Sequence, residues 1–291
     1  MTNRILLTGA DGQLGQELQQ TLAALGEVIA LTRQELDLSQ GEQIRQLVQQ
    51  VRPSIIVNSA AYTAVDKAEG EVDLAQAVNG TAPTILAEEA EKIGALLLHV
   101  STDYVFDGRK NTPYLETDPT YPLSSYGKSK LAGEMGIQQV TDNYLILRTA
   151  WVYGVYGKGN FVKTMLRLGQ DREELRVVAD QVGSPSWAKD IAEAIAQLLQ
   201  TDARGIYHFT NSGVASWYDF AIAIFEEARA LGFPLKVQRV IPITTADYPT
   251  PATRPAYSVL SGKKITDTLG DYPSYWRDSL RKMLKQLQEN C

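Results

Sequence analysis

Short apolar runs alternate with amphipathic stretches from the start of the chain. Ile5-Leu6-Leu7, residues 28–31, Ile55-Ile56-Val57 and residues 95–98 are continuous apolar segments of strand length. Between them, residues 13–25, 42–51 and 72–93 repeat apolar positions at helical spacing. Ser39 and Glu42 precede the second of these with the spacing of a capping box. Strands that are apolar on both faces belong to a parallel sheet covered by helices and joined by right-handed crossovers. The pattern predicts an α/β fold with a doubly wound parallel sheet. Two further strands are predicted over 144–147 and 175–178.

The texture changes after about residue 150. Glycine and aromatic residues thicken over 151–161, and the proline-rich segment 248–255 cannot be helix interior. Helices are predicted over 188–199, 217–231 and 278–288. No repeat or low-complexity linker separates the halves. The expected organisation is a nucleotide-binding unit over 1–150, carrying the candidate chemistry. A smaller substrate-binding lobe over 151–291 is expected to interleave with it.

Composition narrows the function classes. A chain of 291 residues with 44% hydrophobic and 21% charged residues can bury a large core and is not disordered. The formal charge of −6 leaves no basic footprint, so nucleic acid is not expected as a partner. No run approaches the apolar length of a membrane span, and no membrane association is expected. The N-terminal apolar stretch is too short for a signal peptide. Cys291 is the single thiol, which excludes an internal disulfide or a cysteine metal cluster and fits a reducing compartment. A cytoplasmic protein is expected. The two histidines, His99 and His208, are too few for a histidine-rich metal site. No G-x-S-x-G elbow supports a serine hydrolase.

The first strand runs into Thr8-Gly9-Ala10-Asp11-Gly12-Gln13-Leu14-Gly15, three glycines at a spacing of three that opens a helix. Such a turn lets a pyrophosphate approach the backbone at a helix N-terminus. The glycines alone would also suit a plain tight turn, but their place at the first strand–helix junction of a Rossmann-like pattern favours a dinucleotide. The second strand ends in Leu31-Thr32-Arg33-Gln34, with no acid at the first polar positions. Arg33 suits a 2′-phosphate and favours NADPH, while Glu35 or Asp37 can still reach the ribose of NADH. Gly127-Lys128-Ser129 imitates the end of a P-loop, but Pro122 stands where that motif needs glycine.

The strand over 95–98 exits into Ser101-Thr102-Asp103-Tyr104-Val105-Phe106-Asp107-Gly108, at the strand end where open α/β sheets bind ligands. Tyr126 and Lys130 follow at a spacing of four, one turn apart on a helix face. An ammonium near the phenol is expected to lower its pKa, so that Tyr126 donates a proton to a carbonyl while Thr102 orients the same oxygen.

With the glycine turn, Tyr126-x-x-x-Lys130 and Thr102 together, the chain resembles the extended short-chain dehydrogenase/reductases across essentially its whole length. Residues 57–69, the Ser101–Gly108 string, Arg148-Thr149-Ala150-Trp151-Val152-Tyr153-Gly154 and Tyr248-Pro249-Thr250-Pro251 resemble one branch of that family. The resemblance implies NADPH-dependent reduction of the C4 ketone of dTDP-6-deoxy-L-lyxo-4-hexulose to dTDP-L-rhamnose. It makes Thr102, Tyr126 and Lys130 the catalytic trio. The cofactor would be lined by Gly9, Gly12, Gln13, Leu14, Gly15, Arg33, Asp37, Leu38, Ala60, Ala61 and Tyr62, with Tyr126 and Lys130. Thr102, Asp103, Tyr104 and Trp151 would face the dTDP-sugar, with Arg254 toward its diphosphate. A homodimer is possible, and some members of the family dimerise through a divalent metal, but no residue here is assigned to one. The competing readings are another nucleotide-sugar reductase or epimerase, or a non-catalytic regulatory subunit of the same fold. A dehydratase is disfavoured because Asp103 is followed by Tyr104 rather than by a second acid.

Overall fold

The computed structural model describes residues 3–289; Cys291, and with it the single thiol, lies outside them. Five strands come first: β1 (Asn3–Thr8), β2 (Gly26–Leu31), β3 (Ile55–Asn58), β4 (Leu96–Thr102) and β5 (Tyr144–Thr149). With Gly205–His208 they form a six-stranded sheet in the order Gly205–His208, β5, β4, β3, β1, β2, every pair parallel.

The helices are α1 (Gln13–Leu22), α2 (Gly41–Val51), α3 (Val72–Gln76), α4 (Ala82–Ile93), α5 (Ser125–Val140), α6 (Phe161–Asp171), α7 (Ala188–Leu198) and α8 (Trp217–Ala230), followed by Lys263–Leu269 and Trp276–Glu289. Alternation along β1 divides the core. Ile5 and Leu7 pack with Leu18 of α1 and Ile195 of α7, whereas Leu6 packs with Val48 of α2 and Leu86 of α4. Both faces of the sheet are therefore covered, as its continuous apolar strands require. A second core gathers Tyr153, Trp187, Phe220, Ile224, Trp276 and Leu280.

Three local expectations are corrected. The strand predicted over 175–178 forms as Glu174–Val178, but it pairs with Arg239–Ile243 outside the main sheet. Its exposed Glu174 and Arg176 alternate with buried Leu175 and Val177, the pattern of a strand wet on one face. The capping box at α2 is absent. Gln40 occupies the N-cap without a side-chain bond, and the Ser39 amide instead donates to Asp37 Oδ1 at 2.9 Å. The stretch 72–93 is not one α-helix. A π-turn, Ala77–Thr81, lies between α3 and α4. Pro83, in the first turn of α4, has no N–H to return to Asn79, which breaks the regular ladder there.

Candidate active site

The glycine turn is built for close backbone approach. Gly9 adopts φ +76°, and a Cβ on it would lie 2.8 Å from the Ala60 nitrogen. A Cβ on Gly15 would lie 2.0 Å from the Gly9 carbonyl oxygen. Gly12 caps α1 without any side-chain bond, so the first-turn amides are left for an anion. This cradle fits a dinucleotide pyrophosphate. Ala60, Ala61 and Tyr62 follow β3 beside it. The Tyr62 amide donates to Asn79 Oδ1 at 2.8 Å and its hydroxyl to Glu71 at 2.7 Å. Of the helix residues, Leu14 is buried in the core and the Gln13 side chain donates to the Val152 carbonyl at 3.1 Å. Gln13 thereby ties the turn to the segment after β5.

At the end of β2 both acids have other partners. Glu35 accepts from the amide and hydroxyl of Thr32, each at 2.8 Å. Asp37 accepts from Ser39, a bond that leads in holding its carboxyl below the usual carboxylate range. Arg33 is exposed and stands 3.8 Å from Asp37. Leu38 is buried beneath them.

Thr102 closes β4, and Asp103–Val105 forms a 3-10 turn immediately after it. Facing them, α5 starts at a doubly secured N-terminus. Ser124 Oγ accepts from the Gly127 amide at 3.1 Å, and Glu69 accepts from the Ser125 amide and hydroxyl at 2.8 and 2.9 Å. These bonds fix Tyr126, which meets Tyr104 edge-on with ring centroids 5.5 Å apart. Burial pushes the Tyr126 phenol up to about 12, opposed by the nearby Thr102 hydroxyl and reinforced by Asp103. The lowering expected from Lys130 does not occur. The Lys130 ammonium position is committed instead to the Val100 carbonyl at 2.7 Å and His99 Nε2 at 3.1 Å. Burial in turn brings Lys130 down to about 8. A protonated phenol at neutral pH is the form a proton donor needs.

Asp103 is buried, with its carboxyl raised to about 6 chiefly by that burial. Its Oδ1 accepts from Thr102, while Oδ2 has no hydrogen-bond partner among the described residues. Half-buried Tyr104 has its phenol raised by burial and by Asp103, with the Arg254 charge pulling the other way. Arg254 pairs with Asp66 at 2.8 Å and fastens the proline-rich segment to the loop after β3. Trp151 carries φ +49°, a rare conformation for a bulky residue, and stacks on Trp217 at a centroid distance of 3.5 Å. Its indole lies against Gly183, where a Cβ would come within 2.7 Å of the ring. Thr102, Asp103, Tyr104, Tyr126 and Arg254 thus share one neighbourhood, with Lys130 one turn deeper. Among the described residues no group of three or more His, Cys, Asp or Glu side chains is arranged to hold a metal, and no helix is long and apolar enough to cross a membrane.

Four supporting residues escape motif reading: Asn58, Glu69, Asn79 and His99. Asn79 clamps both backbone groups of Tyr62 and donates to Ser129 of α5 at 3.1 Å. The Asn79-Gly80-Thr81 interruption in an otherwise helical stretch is the signal that marks it.

Comparison with known proteins adds a family. The RmlD substrate binding domain matches residues 3–289. The dTDP-4-dehydrorhamnose reductase of Burkholderia thailandensis is 45% identical, with 98% of this chain and 99% of the relative covered. That of Escherichia coli K12 is 45% identical, with 97% of each covered. Among solved structures, the dTDP-4-dehydrorhamnose reductase of Bacillus anthracis in complex with NADP superposes with a TM-score of 0.93 at 39% identity. It covers 98% of this chain and 100% of the other.

Proposed function

The chain belongs to the RmlD substrate-binding-domain family, and on that premise we propose that it is a dTDP-4-dehydrorhamnose reductase. It reduces the C4 ketone of dTDP-6-deoxy-L-lyxo-4-hexulose to dTDP-L-rhamnose with NADPH, in the cytoplasm. The observation that carries this reading is the placing of Tyr126, in the first turn of α5, against the Thr102–Tyr104 turn at the carboxyl end of β4. The open first turn of α1 lies at the carboxyl end of β1, on the same edge of the sheet and separated from β4 by β3.

NADPH, when bound, supplies the hydride that attacks C4. Gly9, Gly12 and Gly15 hold its pyrophosphate on backbone amides, with Gln13 and Leu14 contributing only main chain. Arg33 takes the 2′-phosphate, and Asp37, Leu38, Ala60, Ala61 and Tyr62 line the adenosine side. Lys130, once charged, holds the nicotinamide ribose and favours the phenolate form of Tyr126. As C4 changes from trigonal to tetrahedral its oxygen gains charge, and Tyr126 gives that oxygen its phenolic proton. Thr102 orients the same oxygen. Asp103, Tyr104 and Trp151 position the sugar, with the indole face on its apolar side, and Arg254 faces the diphosphate.

The test is NADPH oxidation by purified protein with the dTDP-hexulose, with dTDP-L-rhamnose identified as product against a no-substrate control. Absence of oxidation with a folded, NADPH-binding protein would move the reading to a non-catalytic member of the fold.

A further inference from the structure

Lys130 has a row of neighbours that the proton transfer does not use. The register of three parallel strands places Thr8, Asn58 and His99 side by side at one level of the sheet. All three are buried, as is Lys130. The Thr8 hydroxyl donates to Asn58 Oδ1 at 2.7 Å, which turns the amide nitrogen toward His99 Nδ1 at 3.0 Å. An amide nitrogen has only protons to give, so Nδ1 accepts and the neutral ring carries its proton on Nε2. That nitrogen stands 3.1 Å from Lys130 Nζ. An N–H cannot bond to an ammonium, which has no lone pair, and the contact closes only when the lysine is the uncharged amine. Its own protons then serve the Val100 carbonyl.

We propose that His99 is a positioning residue for Lys130: locked in its Nε2–H form by Asn58, it offers the lysine only a donor, seats the uncharged amine, and so sets the pH at which Lys130 gains its charge. The proposal rests on the role given to Lys130 above. Burial holds the His99 imidazole well below its ordinary value, so the ring stays neutral. The other ionisable groups around the lysine do not replace it. Glu134, one turn further along α5, raises Lys130, but it is held by Arg148 of β5 at 2.6 Å and by Ser101 of β4 at 2.5 Å. On the flanking strand β5 the register partner of His99 is the apolar Ile146. Tyr126 lies one turn back on α5, with Asp103 beyond it.

The chain has two histidines, so long-range proton–nitrogen NMR of histidine-labelled protein resolves both rings, with His208 as internal reference. The ligand-free protein is expected to show His99 as the neutral Nε2–H tautomer. Lys130→Met is expected to move the His99 ring nitrogens and leave those of His208 in place. His99→Gln can present a carbonyl oxygen to an ammonium. The alkaline limb of kcat/KM should then move up by about one pH unit. The NADPH dissociation constant, measured by calorimetry over the same range, should move with it. A merely structural defect would lower activity at every pH and leave the limb where it was. An Nδ1–H tautomer, a ring insensitive to Lys130→Met, or an unmoved limb in a folded His99→Gln protein would each overturn the proposal. Loss of the reductase reading itself would show as an inactive wild type, which leaves the tautomer and the Lys130→Met shift still to decide the role of His99.

Discussion

The Thr102 hydroxyl donates to Asp103 Oδ1 at 3.0 Å while accepting from the Tyr104 amide at 3.2 Å. Its single proton is therefore held within its own turn, and the hydroxyl must turn away from Asp103 before Thr102 can donate that proton to a substrate oxygen. Asp103 sustains this arrangement with a carboxyl that is buried and only half satisfied. Its folded pKa, raised to about 6, means the folded state holds the proton where the unfolded chain has released it. Stability accordingly falls as pH rises from about 4 to about 6, and the full penalty applies above that window. Asp103→Asn keeps an acceptor for Thr102 and removes the buried charge. It should raise the melting temperature by a few degrees at pH 7.5 and by nothing at pH 4, as differential scanning calorimetry would show. An equal gain at both pH values would mean that charge is not the cause.

Tyr126→Phe tests the proton donor. General acid catalysis contributes about 10²–10⁴-fold, so kcat should fall by that factor. The ring keeps its edge-on contact with Tyr104. Melting temperature and NADPH dissociation constant should stay close to wild type. A kcat within a factor of about three of wild type, with chemistry rate-limiting, would transfer the role to another group, Asp103 first.

How much of this was legible depended on whether a role lives in local sequence. Gly9, Gly12 and Gly15 are readable because a turn against Ala60 admits no side chain, and that requirement is written at fixed spacing. Thr102 is readable because the end of a buried strand points to the ligand side. His99 and Asn58 are not, since their pairing is made by register between β3 and β4, about forty residues apart. Lys130 illustrates a different limit. Its spacing from Tyr126 identifies the helix face, but not that Nζ turns to Val100 and His99 rather than to the phenol. The Glu174–Val178 strand was visible as a strand, while its sheet was decided by the exposed charges on one face.

Trp151→Ala should weaken the sugar nucleotide and spare the cofactor. The indole is held by Trp217 and by the space over Gly183, so it is a prepared surface rather than a loose side chain. An aromatic face contributes about 0.5–1.5 kcal/mol beyond area. KM for the dTDP-hexulose should rise roughly threefold to tenfold, with the NADPH dissociation constant unchanged. A parallel rise in both constants would place Trp151 in packing alone, and a melting curve would show the corresponding loss.

Arg33→Ala tests cofactor choice, and the structure sharpens the expected result. NADH recognition needs a carboxylate free for the ribose hydroxyls. Glu35 is occupied by both donors of Thr32, and Asp37 has one oxygen taken by the Ser39 amide and the other facing Arg33. Arg33 has only a long contact to Asp37 at 3.8 Å on an exposed side chain, so it can turn to a phosphate without breaking a buried pair. Hydrogen bonds to a charged partner contribute about 1.5–3 kcal/mol. Removing the guanidinium should raise KM for NADPH by about tenfold or more. NADH carries no 2′-phosphate, and its KM should barely change. Steady-state kinetics with both cofactors on one preparation decides the matter, since a folding defect would weaken them alike. Equal losses for NADPH and NADH would remove Arg33 from cofactor selection and direct attention to Thr32 and the backbone of the same turn.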